Sequence, residues 1–461
     1  MYNPQALKSQ VLFSIEAREQ QGYDLTVVKE CQATMKEDDN SSWMAVYEAI
    51  KDAPFRPDFP YEEPSELDKI HALRPVGPRK MDYSLTDLEL KDKIHGALLG
   101  RFSGVILGRP VEGWKQPSIE AFLKGANAYP LDYYLPRQSI VDGKVKKVYY
   151  ERLRCTREYV CFAEPDDDIN YVFLALKLFE KLGPNFTTQD VGYNWLDNLE
   201  ANWTWGPERT AYLNLARYTE TWPRYLELDP QTLWKVSHYL NDYNELIGAQ
   251  IRGDLFGYVT VGSPELAADF AYRDASFTHI KNGIYGEMFI AAMIAAAFCS
   301  DNLHEIIEIG LSEIPSNSRL AEAIKNTVKW HDQYKDWLKV YQEIDKNYNH
   351  YGGGHTINNA AIVVNGLLSG DGDPGQTICI TVMQGQDTDC TTATAGSISG
   401  ILCGAATFPK KWSEPLNDTV MTSIMGESKN TISGTAERIF NVCRMITKSQ
   451  RKIKYLYSEP A

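Results

Sequence analysis

The amino-acid sequence predicts an all-α fold: a compact multi-helix domain with a small β-hairpin insertion, preceded by a helical N-terminal extension. Three observations lead there. Apolar residues recur at helical spacing through most of the chain after residue 86, as in "EPDDDINYVFLALKLFEKL" (164–182). Glycines stand four apart at Gly96, Gly100, Gly104 and Gly108, and again at Gly396, Gly400 and Gly404. Strand-like flanks around a turn dipeptide occur at Asp142-Gly143.

Taken in order, residues 1–80 form the extension. "VLFSIEAREQQGYDLTVVKECQATM" predicts two short helices, and the proline- and charge-rich "DAPFRPDFPYEEPSELDKIHALRP" reads as a linker. No catalytic signature stands out there. The main domain is expected over 86–455. Thr86 and Glu89 have the spacing of a capping box, which satisfies free amides at a helix start. Each glycine in the helix that follows costs roughly 1 kcal/mol of helix stability. Four on one stripe therefore call for a backbone that packs against them. A membrane dimer motif is the competing reading, disfavoured by Arg101 and the short length. Residues 129–160 predict the hairpin insertion, 195–245 a long aromatic and partly helical excursion, and the rest further helices broken by glycine turns.

The chain has 461 residues, 43% of them hydrophobic, enough for a sizeable core. A net charge of −14 argues against nucleic-acid or anionic-membrane binding, since both need a basic footprint. It suits a site built of acids and filled by cations. The N-terminus lacks a basic segment followed by a long apolar one, and "MFIAAMIAAAF" (288–298) is too short to span a bilayer. The eight cysteines contain no C-x-x-C pair and mostly sit in apolar segments. Reduced thiols and a cytoplasmic location are the expectation.

The chemistry concentrates in two acidic stretches. Asp166, Asp167 and Asp168 stand in a row at a helix start. One acid there is an ordinary cap, but three adjacent ones repel. Asp387 and Asp389 in "QGQDTDC" lie two apart before a second small-residue helix. A turn plus a cap is the bland reading; convergence on one hard cation is the other. If the glycine stripes let the helices pack closely, five carboxylates would meet and demand counter-charge.

The segments "HGALLGRFSGVILGRPVEGW", "PDDDINYVFLAL" and "GQDTDCTTATAGSISGILCGA", in this order, resemble the three signature segments of the ADP-ribosylglycohydrolase family. The resemblance covers roughly residues 86–410. It implies an all-α fold and a site for two Mg²⁺ ions, with Mn²⁺ as an acceptable substitute. It also implies hydrolysis at the anomeric carbon of ADP-ribose. Position by position, Asp167 and Asp168 match the acids of the family's T-D-D segment, with Asp166 in place of its threonine. Asp387 and Asp389 match its D-x-D, and Glu112 matches its loop glutamate. Cys390 stands where the family has a Thr or Ser ligand, and Val105 where it has an acid. These departures mark a divergent branch.

The resemblance thus implies Asp166, Asp167, Asp168, Asp387 and Asp389 as metal ligands, with Asp166 (as ligand or general base) and Glu112 in catalytic roles. His279, His355, Asn358 and Gly353 are candidate substrate contacts; for the histidines a hydrogen-bonded structural role is the commoner fate. Trp203, Trp205 and Tyr212 could stack on a base or sugar, or simply pack. Arg252, among Glu245, Gln250 and Asp254, suggests an ordered polar network. The expected substrate is small-molecule or protein-linked ADP-ribose, or another riboside, with no nucleic acid and no membrane. Two alternatives stay open: a hydrolase of a nucleoside-like riboside or furanoside, and a non-catalytic ADP-ribose-binding or structural protein on the same scaffold.

Overall fold

A computed structural model describes residues 4–33, 40–219 and 227–457. Helices dominate, as expected, and the described strands form two antiparallel hairpins. The foreseen one pairs Gln138–Val141 with Lys144–Lys147. Its turn residues Asp142 and Gly143 both have positive φ, the geometry that matches strand twist. The other hairpin, Thr419–Met421 with Lys429–Thr431, was not expected from the sequence.

The core is built on two glycine helices. Thr86 and Glu89 close the capping box that starts Asp87–Gly108. This helix runs antiparallel against Thr388–Cys403. A Cβ added at Gly96 would lie 2.4 Å from the carbonyl oxygen of Gly400, and one at Gly100 only 1.9 Å from that of Gly396. Gly104 and Gly108 meet the carbonyls of Thr392 and Thr388 at 2.3 and 2.2 Å. The stripes therefore face each other, and the C-terminal end of the first helix lies beside the N-terminal end of the second.

Arg101 is fully buried within this packing, which the membrane reading of the stripe did not anticipate. No described helix is long and apolar enough to cross a membrane; the 288–298 run forms the end of the wholly buried helix Lys281–Ala297 and its C-cap residue Phe298. Of the cysteines with described side chains, all are free thiols: Cys155, Cys379, Cys390 and Cys443 are buried, and Cys161 is exposed. The side chain of Cys31 lies outside the described residues.

The N-terminal helices Pro4–Gln20, Thr26–Ala33 and Asn40–Lys51 share a small apolar cluster of their own, joined by Leu240. The segment that follows is more than a linker. Glu63 pairs with buried Arg319 at 2.7 Å, and Arg319 pairs with Glu245 at 2.7 Å. Phe13 stacks on Tyr243 at 3.9 Å. The extension thus braces the 240–246 stretch, whose far end reaches the site.

Candidate metal centre

Three backbone clamps assemble the site. After the first glycine helix, Gly113 N donates to Gln386 O (2.8 Å) and Gln386 N to Trp114 O (2.9 Å). Gly385 sits between them at φ +82°, where a Cβ would lie 2.5 Å from Trp114 O, so glycine is required. This clamp carries Glu112 to Asp387. Next, Ala163 N donates to Thr419 O and Met421 N to Ala163 O (both 2.9 Å), which fixes the chain just ahead of Asp166. Finally, Ile247 N donates to Gly354 O (2.8 Å) and Thr356 N to Glu245 O (3.1 Å), which brings the glycine loop to the rim.

The two acidic helix starts, Asp167–Leu182 and Thr388–Cys403, consequently face one cavity of about 520 Å³. Asp166, Asp167, Asp387, Asp389, Glu112 and Cys390 line it. The acids differ in what holds them. Asp166 is the true cap: Oδ1 accepts from Asp168 N (3.2 Å), while Oδ2 lies 3.1 Å from Arg109 Nε. Asp168 is turned inward to Arg101 (3.2 Å), which also pairs with Asp254 (2.8 Å), all three fully buried. Glu112 pairs with Arg152 at 2.6 Å. Asp387 makes no capping bond although it occupies the cap position. Asp389 is 4% exposed, and its Oδ1 has no hydrogen-bond partner.

Electrostatics follow from this geometry. Burial, then Asp166 and Asp168, push the Asp167 carboxyl well above the usual range. Burial, then Glu112 and Asp387, do the same to Asp389. Burial raises Asp387, and it raises Glu112 against the opposing pull of Arg152. Burial and the neighbouring aspartates also keep the Cys390 thiol protonated. Uncompensated buried acids with an orphaned oxygen fit a hard divalent cation, which takes carboxylate oxygens and repays their desolvation. The protonated thiol is a poor ligand for it.

The other predicted residues lie around this centre rather than on its wall. His279 is buried behind Glu208 (3.7 Å), with Nδ1 against Thr278 Oγ1 (2.6 Å). Burial, then Arg252, hold its pKa well below the ordinary value. His355 caps Thr356–Gly370 by accepting from Ile357 N, and burial lowers its pKa to about 3. Asn358 and its neighbour Asn359 donate to Gly352 O and Gly353 O (2.9 and 2.8 Å), shaping the glycine loop. Gly354, not Gly353, lines the cavity.

Trp203 and Trp205 are on the wall, whereas Tyr212 donates to Leu199 O as a structural residue. Val105 is buried in the core. Arg252 is the hub of a network, as expected, but with other partners than its sequence neighbours: Glu208 at 2.8 Å, Asp274, and Glu287 at 3.6 Å, while Glu245 pairs with Arg319 and Asp254 with Arg101. Sequence reasoning missed Arg101, Arg109, Arg152 and Glu208. An arginine inside an apolar glycine helix was the available signal for the first, because such a group is buried only when paired.

A wider cleft of about 870 Å³ elsewhere is lined by His304 and His331, whose ring nitrogens lie within 4.8 Å of each other and of an Asp332 carboxylate oxygen. Lys335 already engages Asp332 there at 2.9 Å. The acidic cavity is the one that joins distant motifs.

No curated protein matches the sequence significantly. Among solved structures that do match, one titled "ADP-ribosylglycohydrolase-related protein complex" superposes with a TM-score of 0.50 at 16% identity. That match covers 78% of this chain and 99% of the other, a likeness of fold. The family model for ADP-ribosylglycohydrolase matches residues 86–448, and the chain therefore belongs to the ADP-ribosylglycohydrolase family.

Proposed function

We propose that this protein is a Mg²⁺-dependent hydrolase that cleaves the glycosidic bond of an ADP-ribosyl or related ribosyl conjugate. The observation that carries the reading is the meeting of Asp167, Asp387 and Asp389 in one cavity without a lysine or arginine salt bridge to any of them among the described residues. These three would hold the cation. Bound there, Mg²⁺ would supply Lewis acidity toward the sugar hydroxyls and a water.

The chain's own groups do the rest. Glu112, raised by burial and steered by Arg152, is placed to take a proton from water or to orient the 2-hydroxyl. The carboxylates stabilise positive charge developing at the anomeric carbon. Trp203 and Trp205 offer aromatic faces for a base or sugar. Asp166, with both oxygens engaged, serves to position the helix start rather than to move protons.

The test is turnover of ADP-ribosylated peptides and of O-acetyl-ADP-ribose, with nucleosides as a comparison panel. Each is assayed with Mg²⁺, with chelator, and in Asp387→Ala. Activity that survives chelation or the substitution would end the metal reading. Turnover of nucleosides alone would move the assignment to another riboside.

A further inference from the structure

We infer that His304, His331 and Asp332 form a separate site for one Zn²⁺ ion, which ties together two helix ends outside the acidic cavity. The inference is independent of the magnesium reading, because the two clefts share no lining residue.

Two helices supply the donors. His304 stands in the first turn of Leu303–Leu311, fixed there by the Asn302 side chain, which accepts from His304 N and Glu305 N. His331 and Asp332 stand side by side near the end of Arg319–Tyr334. One ring nitrogen of each histidine and one oxygen of Asp332 lie within 4.8 Å of one another. His304 Nε2 and Asp332 Oδ1 are 3.2 Å apart. That is close to the roughly 3.4 Å edge of a tetrahedron built on zinc–ligand bonds of about 2.0–2.1 Å. A hydrogen bond alone would account for this pair, but not for His331. His331 is 8% exposed, and its Nδ1 is buried with no hydrogen-bond partner. Leaving such a group unpaired is costly. The ring lines the cleft of about 870 Å³, from which an ion and its water can reach it.

The donor set chooses the metal. Imidazole suits Zn²⁺, whereas Mg²⁺ and Ca²⁺ take oxygen. Two histidines, one carboxylate and a water are a known zinc arrangement. Asp301, Asp336 and Asp371 line the same cleft and favour a cation. Lys335 opposes it. Its Nζ lies 2.9 Å from Asp332 Oδ1, the same oxygen that faces His304. The Lys335 side chain is 62% exposed, so it can swing into water as the ion arrives. Lys335 therefore competes for the site, and its removal should tighten binding.

The experiment is a calorimetric titration of the full chain with Zn²⁺, with Mg²⁺ in excess to compete at sites made only of oxygen. The expected result is one Zn²⁺ per chain that Asp387→Ala retains, with a Zn²⁺-dependent rise in Tm. His304→Ala should weaken that binding by about tenfold at least, since even losing a group that only orients a ligand costs as much. His331→Gln should do the same; where it does not fold, His304→Ala decides. Lys335→Met should bind Zn²⁺ more tightly than wild type. No Zn²⁺ uptake, or uptake unchanged in His304→Ala, overturns the inference. Uptake that disappears in Asp387→Ala assigns the ion to the acidic cavity and overturns it as well. Equal affinity in Lys335→Met overturns the competing role of that lysine.

Discussion

Alanine placed along the glycine stripe should invert the usual effect of Gly→Ala in a helix. In an isolated helix the change gains about 1 kcal/mol. Here the added Cβ at Gly100 would sit 1.9 Å from Gly396 O, and the obstacle is backbone, which no rotamer change removes. To reach 3.4 Å the two helices must separate by about 1.5 Å at that point. Overpacking of this kind costs about 1–3 kcal/mol, with rigid backbone contacts toward the upper end. The net effect is a loss of about 2 kcal/mol. With an unfolding entropy of about 2.1 cal/mol/K per residue, that lowers Tm by about 2 °C, where an unopposed helix would gain about 1 °C.

Position along the stripe then separates stability from function. Gly96 lies about 18 Å from Gly108 along the helix, and Gly108 abuts Thr388, between Asp387 and Asp389. Gly96→Ala should lower Tm and leave the Mn²⁺ affinity of folded protein within about twofold. Gly108→Ala should lower both, with affinity falling by more than tenfold. Calorimetry and metal titration on the series Gly96, Gly100, Gly104 and Gly108 read the two quantities. A Gly100→Ala protein as stable as wild type, or equal metal affinity at both ends of the stripe, would refute the reasoning.

Three further outcomes are expected. Because burial and like charge raise Asp167, Asp387 and Asp389 above their unfolded values, the folded metal-free protein binds more protons than the unfolded chain once pH exceeds about 4. Its stability should fall from these groups as pH rises toward neutrality, while a cation favours their ionised forms. The Mg²⁺-induced rise in Tm should therefore grow between pH 5 and pH 8 in melts with and without the ion, and a constant rise contradicts the assignment. Arg152→Ala removes the group that lowers Glu112, so the acidic limb of the pH–rate profile should move to higher pH, whereas an unchanged limb excludes Glu112 as the titrating group. Arg252→Ala strands buried Glu208 and Asp274 and should cost about 3–5 kcal/mol in denaturant titration; a loss under 1 kcal/mol would show that the network relaxes.

Some of this was legible in the sequence for reasons of period. A capping box, a turn dipeptide and a four-residue glycine repeat are local signals, and each formed the element it predicts. The repeat announced close packing but not its register: Gly104 and Gly108 meet threonine carbonyls rather than the glycines of the second stripe. The acids were legible as clusters, yet Asp166 and Asp387 look alike in sequence and differ in the structure, one spent as a cap and the other not. That distinction depends on Arg109 and on the clamp at Gly385, neither of which has a periodic signature. His355 and Asn358 carried glycine neighbours that suggested a ligand loop; their hydrogen bonds instead hold that loop and its helix.

The difference between capped and uncapped acids bears on how such a centre can exist. Carboxylates pressed together by burial would relax if the backbone allowed it, through a rotated helix start or a loop opened to water. The glycine stripe prevents the first, because the helices touch backbone to backbone and cannot roll without collision. The clamps at Trp114, Ala163 and Ile247 prevent the second, because each ties an acid-bearing or cavity-lining segment to a different part of the chain. The arginines then neutralise Asp166, Asp168 and Glu112, which leaves the remaining repulsion on Asp167, Asp387 and Asp389. On the magnesium reading, stability surrendered there would be regained as affinity for the cation, the exchange by which a rigid scaffold would turn an unfavourable charge arrangement into a binding site.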